Sequence, residues 1–198
     1  MTSTGKIYGL VLSGGKSTRM GSDKGLIKYH GVPQREYLYD LLSQVCDETF
    51  ISLREEQEAE LPEKMKTIVD LNEYCGPYNG LLSAHKKYPD AAWLVLACDL
   101  PLMNFDALKE LITVRDSGKM ATAFALKDNP LPEPLCAIWE PHAFADSLSY
   151  LQSGVGTCPR KFLINHDTKL VFPKNESVLL NANSEEEYKE ALLKLAEV

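Results

Sequence analysis

Strand-like and helix-like segments alternate along the chain, which predicts an α/β fold with three layers, α/β/α, around a mostly parallel sheet. Three observations carry that prediction. Residues 92–98 (A-W-L-V-L-A-C) are a continuous apolar run, as a central strand covered on both faces must be. Helical periodicity fills the stretches between such runs. The strand-like runs also stop at polar or glycine-bearing loops, Ser13-Gly14-Gly15 and Asp99-Leu100-Pro101, where open parallel sheets keep their ligands.

Taken in order, residues 6–12 (K-I-Y-G-L-V-L) are apolar with β-branched members and run into a glycine turn. Residues 33–46 carry Tyr37, Leu38, Leu41, Leu42 and Val45 at helical spacing, with Pro33 where a helix can begin. Residues 49–53 and 66–69 are expected strands, and 80–88 a helix stopped by Pro89. After the central run at 92–98, a helix is expected over 105–114 and a strand over 120–126. A loop at 128–134 contains Pro130, Pro132 and Pro134, and 135–139 resumes a strand. Further helices are expected over 142–152 and 159–164, with short strands at 169–172 and 178–180. Ser184 followed three places later by Glu187 is a capping box that opens a final helix. With no internal repeat or linker, one domain over 1–198 is expected.

Composition fits that scheme. A chain of 198 residues suits one core, and 44% hydrophobic with 25% charged residues is enough apolar surface to offset chain entropy. The 21 Lys plus Arg against 28 Asp plus Glu give a net charge of −7, which argues against nucleic-acid and anionic-membrane binding. No stretch approaches the roughly 20 apolar residues of a bilayer span, so a cytoplasmic location is expected. Cys46, Cys75, Cys98, Cys136 and Cys158 are scattered without a C-x-x-C pair or zinc spacing and are expected to be reduced and structural. The four histidines form no motif.

The chemistry is expected where the loops at 13–25, 70–80 and 99–101 converge. Residues 12–25 (L-S-G-G-K-S-T-R-M-G-S-D-K-G) contain four glycines and three cations. Glycines let main-chain N–H groups approach phosphate oxygens, and Lys and Arg compensate the charge of a leaving pyrophosphate. A solvated surface loop is the alternative for this segment alone. Gly15-Lys16-Ser17 imitates the end of a Walker A loop, but the required glycine five places before Gly15 is Leu10, so a P-loop NTPase is excluded. Asp99 closes a buried strand and must be solvated, paired or metal-bound; capping the following helix is the competing reading. Magnesium takes few protein oxygens alongside substrate phosphates, so Asp99 needs no large cage.

The segment at 12–25 resembles the signature of the molybdenum cofactor guanylyltransferase family and its nucleotidyltransferase relatives. Four later segments agree in order: D-L-N-E-Y-C-G-P-Y-N-G-L-L-S-A from Asp70, L-A-C-D-L-P from Leu96, E-P-L-C-A-I-W from Glu133, and N-A-N-S-E-E-E from Asn181. The resemblance implies a Rossmann-like sheet of the nucleotide-diphospho-sugar transferase type, with GTP and molybdopterin as substrates and Mg2+ as cofactor. It further implies association with other molybdenum cofactor proteins. Leu12, Ser13, Gly14 and Gly15 are implied to contact the nucleotide, Lys24 to neutralise the donor phosphates, and Asp99 to hold the metal. Arg19 is implied as a pyrophosphate contact, and Asp70, Gly76, Pro77 and Gly80 as the nucleotide loop beyond the third strand. Asn181 and Asn183 match a position near metal and acceptor, although Asn183 also suits a turn before the last helix. Arg160 and Lys161 are candidates for the acceptor's phosphate, or simply solvated helix charges. A family asparagine associated with guanine recognition falls near Leu53, where leucine offers no equivalent hydrogen bonds. Guanylyl transfer is therefore the expectation, with cytidylyl transfer, a sugar-phosphate acceptor, or a noncatalytic carrier as alternatives.

Overall fold

The computed structural model describes residues 5–15, 23–154 and 156–196. Seven strands form one sheet in the order β3-β2-β1-β4-β6-β5-β7. They are β1 (Ile7–Leu12), β2 (Glu48–Leu53), β3 (Thr67–Val69), β4 (Ala92–Ala97), β5 (Ala121–Phe124), β6 (Cys136–Trp139) and β7 (Thr168–Val171). The helices are α1 (Gln34–Ser43), α2 (Pro77–Lys87), α3 (Phe105–Thr113), α4 (Pro141–Gln152), α5 (Pro159–Ile164) and α6 (Glu185–Ala196). The β1–β2, β1–β4, β2–β3 and β5–β7 ladders are parallel, while β6 runs antiparallel to both its neighbours. The mostly parallel three-layer expectation is met.

Period-two alternation along the strands sorts the core into two faces. Val11, Ile51, Leu94, Leu96 and Ile138 meet α1 through Leu38 and Leu42 and α3 through Leu108 and Leu111. Leu10, Phe50, Trp93, Val95 and Trp139 face the other way, against Leu81 of α2, Phe144 of α4 and Phe162 of α5. β4 is buried at every position, which its unbroken apolar run required. A smaller cluster of Tyr29, Ala182 and Ala191 seats α6 against the segment just after Lys24.

Two elements depart from expectation. The strand expected at 178–180 is a 3-10 turn, Glu176–Leu179, because the Asn175 side chain accepts from the Ser177 N–H at 3.1 Å and folds the chain there. Val178 and Leu179 are buried in the core all the same, so their apolar character signalled burial rather than extension. The helix expected at 80–88 starts a turn earlier, with Pro77 in its first turn and Gly76 at φ 60° before it, a conformation favouring glycine. The final capping box is as expected: Glu187 Oε2 accepts from the Ser184 N–H at 2.9 Å, and Ser184 Oγ from the Glu187 N–H at 3.2 Å. Among the described residues no helix is long and apolar enough to cross a membrane.

Candidate active site

Because the parallel strands point the same way, β1, β2, β3 and β4 deliver Ser13, Arg54, Asp70 and Asp99 to one rim of the sheet. The reversed strand β6 contributes its beginning instead of its end. Cys136 pairs with Leu96 and Trp139 with Trp93, so residues 133–135 also lie at that rim. Three cavities sharing lining residues follow it.

The first cavity, about 230 Å³, is lined by Ser13, Gly15, Lys24 and Asp99 among others. Lys24 sits at the start of a 3-10 turn, Lys24–Leu26, which Asp23 caps by accepting from the Gly25 N–H at 2.9 Å. The other oxygen of Asp23 accepts from Gln57 Nε2 at 2.6 Å. Gly25 is required there, since a Cβ would stand 2.5 Å from Ser13 Oγ. Asn183 stands between the two expected charges: its amide oxygen accepts from Lys24 Nζ, and it is near enough to Asp99 to favour the ionised carboxylate. The chain is held in place for this by the Ala182 N–H, which donates to the Asp99 carbonyl at 2.9 Å. Burial raises the Asp99 pKa above the usual carboxylate value, opposed by the Lys24 charge and the Asn183 side chain.

The second cavity, about 370 Å³, adds Gly14, Arg54, Asp70, Gly76, Pro77 and Gly80 to the rim and shares Leu12, Gly15 and Ala97 with the first. Asp70 is 8% exposed and accepts from Ser52 Oγ at 2.5 Å. Burial raises its pKa, while the Ser52 hydrogen bond and the Arg54 charge oppose the shift. A Cβ on Gly14 would collide with the Asp70 carboxylate, and one on Gly80 with Ser52 Oγ. Both glycines therefore serve close approach between loops. Arg54 donates to the Gly14 carbonyl at 2.7 Å and to Glu56 at 2.6 Å.

The third cavity, about 400 Å³, shares Gly76, Pro77 and Leu135 with the second and holds Glu133 and Arg160. Arg160 is ion-paired to Glu133 at 2.5 Å, so the cation expected to be available to a phosphate already has an anion on it. Burial raises the Glu133 pKa; Arg160 opposes this and Asp99 adds to it.

The structure thus brings together Leu12, Ser13, Gly14, Gly15, Lys24, Asp70, Gly76, Pro77, Gly80 and Asp99, with Asn183 and Arg160 at the same rim. Arg19 lies outside the described residues. Lys161 is exposed on α5, and Asn181 turns its amide back onto the Leu179 carbonyl at 3.3 Å. Leu53 is fully buried on the opposite face, and it is Ser52 and Arg54 that line the cavity. Strand alternation carried that signal, since residues two apart share a face. Gln57 is a second residue missed, and nothing in the sequence marked it. It donates to the Ser13 carbonyl at 3.3 Å as well as to Asp23, tying both ends of segment 16–22 to one buried amide. The cysteines are free, but Cys75 and Cys158 are exposed and line the third cavity instead of the core.

Among the described residues no three His, Cys, Asp or Glu side chains are grouped as a metal cage. Asp99 is a sparse, hard-oxygen donor, since the Asn183 oxygen already accepts from Lys24 Nζ. It suits an ion such as Mg2+ that completes its shell with water and substrate phosphate.

Comparison with known proteins agrees with this geometry. Residues 9–169 match the family model described as the MobA-like NTP transferase domain. A molybdenum cofactor biosynthesis bifunctional protein of Synechocystis sp. is 41% identical over 184 residues, which are 92% of this chain and 52% of the relative. The chain therefore spans about half the length of that relative. A molybdenum cofactor guanylyltransferase of Burkholderia orbicola is 30% identical over 191 residues, covering 91% of this chain and 93% of the relative. Among solved structures, molybdopterin-guanine dinucleotide biosynthesis protein A from Archaeoglobus fulgidus superposes with a TM-score of 0.78 at 22% identity, covering 96% of this chain and all of that one.

Proposed function

Because the chain belongs to the MobA-like NTP transferase domain family, we propose that it transfers GMP from Mg2+-bound GTP to the phosphate of molybdopterin, yielding the guanine dinucleotide cofactor and pyrophosphate. The observation that carries this reading is the shared cavity of Lys24 and Asp99, with Asn183 between them and the glycine turn as its floor. A bound divalent cation would neutralise phosphate oxygens and make the α-phosphorus more electrophilic.

The remaining work falls to the chain's own groups. Lys24 compensates charge on the departing pyrophosphate. The Ser13 N–H is held by the Ser52 carbonyl, so the main chain at residues 14 and 15 offers N–H groups to phosphate oxygens, and Gly14 allows that approach without a side chain in the way. Asn183 holds Lys24 by accepting from its Nζ and lies beside Asp99. The acceptor phosphate is already an anion near neutral pH, so the step needs orientation and charge compensation rather than a general base. Asp70, Arg54 and Gly80 surround the space next to the triphosphate site, where the nucleoside would lie. On this reading one domain carries the whole reaction, in the cytoplasm.

Pyrophosphate release by purified protein with molybdopterin, Mg2+ and GTP, CTP or UTP tests the proposal. Turnover with GTP exceeding the others by at least about tenfold is expected. Preference for CTP would make the protein a cytidylyltransferase, and no pyrophosphate with any nucleotide would leave a carrier that binds without reacting.

A further inference from the structure

The third cavity holds Arg160, one of the two candidates for the acceptor's phosphate, and its charges are wrong for one. Its described cation, Arg160, is neutralised by Glu133, and Asp99 adds negative potential nearby. A dianion entering here would have to displace a carboxylate held by Arg160. The walls are flat and apolar, with Pro77, Pro134, Leu135 and Pro159 around the polar pair. Such a site suits a planar heteroaromatic ring with a polar edge, and about 400 Å³ lies within the roughly 300–1,000 Å³ of small-molecule sites.

Counting hydrogen-bond capacity identifies the edge. A carboxylate offers about four lone-pair sites, and on Glu133 Arg160 uses one. Enough remain for two adjacent donors. Arg160 spends Nε on the Pro132 carbonyl and one N–H on Glu133, and of the roughly five donors of a guanidinium others remain free. The complementary edge presents two adjacent N–H groups followed by an oxygen acceptor, which is the pattern of a 2-amino-4-oxopyrimidine.

We propose that this cavity binds the 2-amino-4-oxopyrimidine edge of the acceptor's pterin ring, with Glu133 accepting from the 2-amino and N3–H groups and Arg160 donating to the 4-oxo oxygen. This rests on the acceptor assigned above. The cavity adjoins the nucleotide cavity through Gly76, Pro77 and Leu135, so a ring seated here extends its side chain toward the reacting phosphates. The donor's guanine carries the same edge, and the test separates the two sources.

The probes are pterin (2-amino-4-oxopteridine) and lumazine, its 2,4-dioxo analogue, titrated by fluorescence against the full chain. Wild-type protein is expected to prefer pterin by at least about tenfold, the scale of one charged hydrogen bond. Glu133→Gln should reduce that preference to within about threefold. It should raise KM for molybdopterin at least about tenfold and KM for GTP less than about threefold. Equal binding of the two rings by wild type, or binding of neither, overturns the proposal. So does a preference unchanged in Glu133→Gln, or a rise in KM for GTP alone, which would assign the edge to the donor base. Should Glu133→Gln fail to fold, Arg160→Met, at a position 44% exposed, must weaken pterin binding by a similar factor or the proposal fails. Failure of the transferase reading would appear separately, as absent pyrophosphate release while ring preference persists.

Discussion

Replacing Gly14 by alanine places a methyl group against the Asp70 carboxylate, at a separation no real Cβ adopts. Asp70 cannot simply swing aside, because its other oxygen holds Ser52 Oγ at 2.5 Å and its side chain is buried. Relief requires the glycine turn to lift from the third-strand loop, or that hydrogen bond to break. Overpacking of this kind costs about 1–3 kcal/mol, which in a chain of this size lowers Tm by about 2–12 °C. Since Gly14 and Asp70 line the same cavity, KM for GTP should rise by about ten- to a hundredfold. Gly15→Ala is the control: nothing lies within 4 Å of a Cβ there, and its melting should stay within about 0.5 kcal/mol of wild type. Asp70→Ala should relieve the Gly14→Ala clash, with a coupling of about 0.5–3 kcal/mol in a double-mutant cycle. Thermal melts and pyrophosphate-release kinetics on wild type, the three single variants and the double variant provide the measurements. A Gly14→Ala variant that melts and binds GTP as wild type does, or additive effects with Asp70→Ala, would refute the reasoning.

Asp99→Ala and Lys24→Ala are each expected to lose at least about a hundredfold in turnover, as when one preorganised electrostatic contact is removed; near-normal rates in both would sink the catalytic assignment. Asp70→Asn should stabilise the fold at pH 7. Burial raises the pKa of Asp70 in the folded protein, so its favourable contribution exists at low pH and is lost as pH rises through that value, leaving a buried charge that the amide avoids. The stability gain, read from denaturant midpoints, should shrink toward pH 4; a gain that instead grows on acidification contradicts the sign. Arg115→Ala removes the partner of Glu140, a nearly buried pair joined at 2.7 and 2.8 Å, and should cost about 3–5 kcal/mol. The folded fraction should turn over at the wild-type rate, as measured by activity normalised to folded protein.

The parallel half of the sheet was legible because a fully buried strand leaves an unbroken apolar run, as β4 does, and β1 is apolar through its buried middle. What the sequence could not convey was direction. Residues 135–139 look like any short strand, and only the pairing of Cys136 with Leu96 reveals that β6 runs backwards. The apolar pair Val178 and Leu179 misled for a related reason: short runs register burial before they register conformation. At the site, groups with distinctive chemistry on loops, Lys24 and Asp99, stood out. Gln57 did not, because its role consists of two hydrogen bonds across more than thirty residues. Arg160 stood out for its charge, yet its meaning changed once Glu133 was found beside it.

The backward strand has one more effect. The chain between β5 and β6, residues 125–135, leaves and returns at the same rim, and it carries Glu133 without passing through any element that holds Lys24, Asp70 or Asp99. Insertions, deletions or exchanges in that hairpin connection can reshape one wall of the cleft while the phosphate-handling groups stay anchored. On the proposed function, the architecture thereby separates two jobs along the chain: a fixed engine for cleaving triphosphates, and an independently editable mouth for choosing what receives the nucleotide.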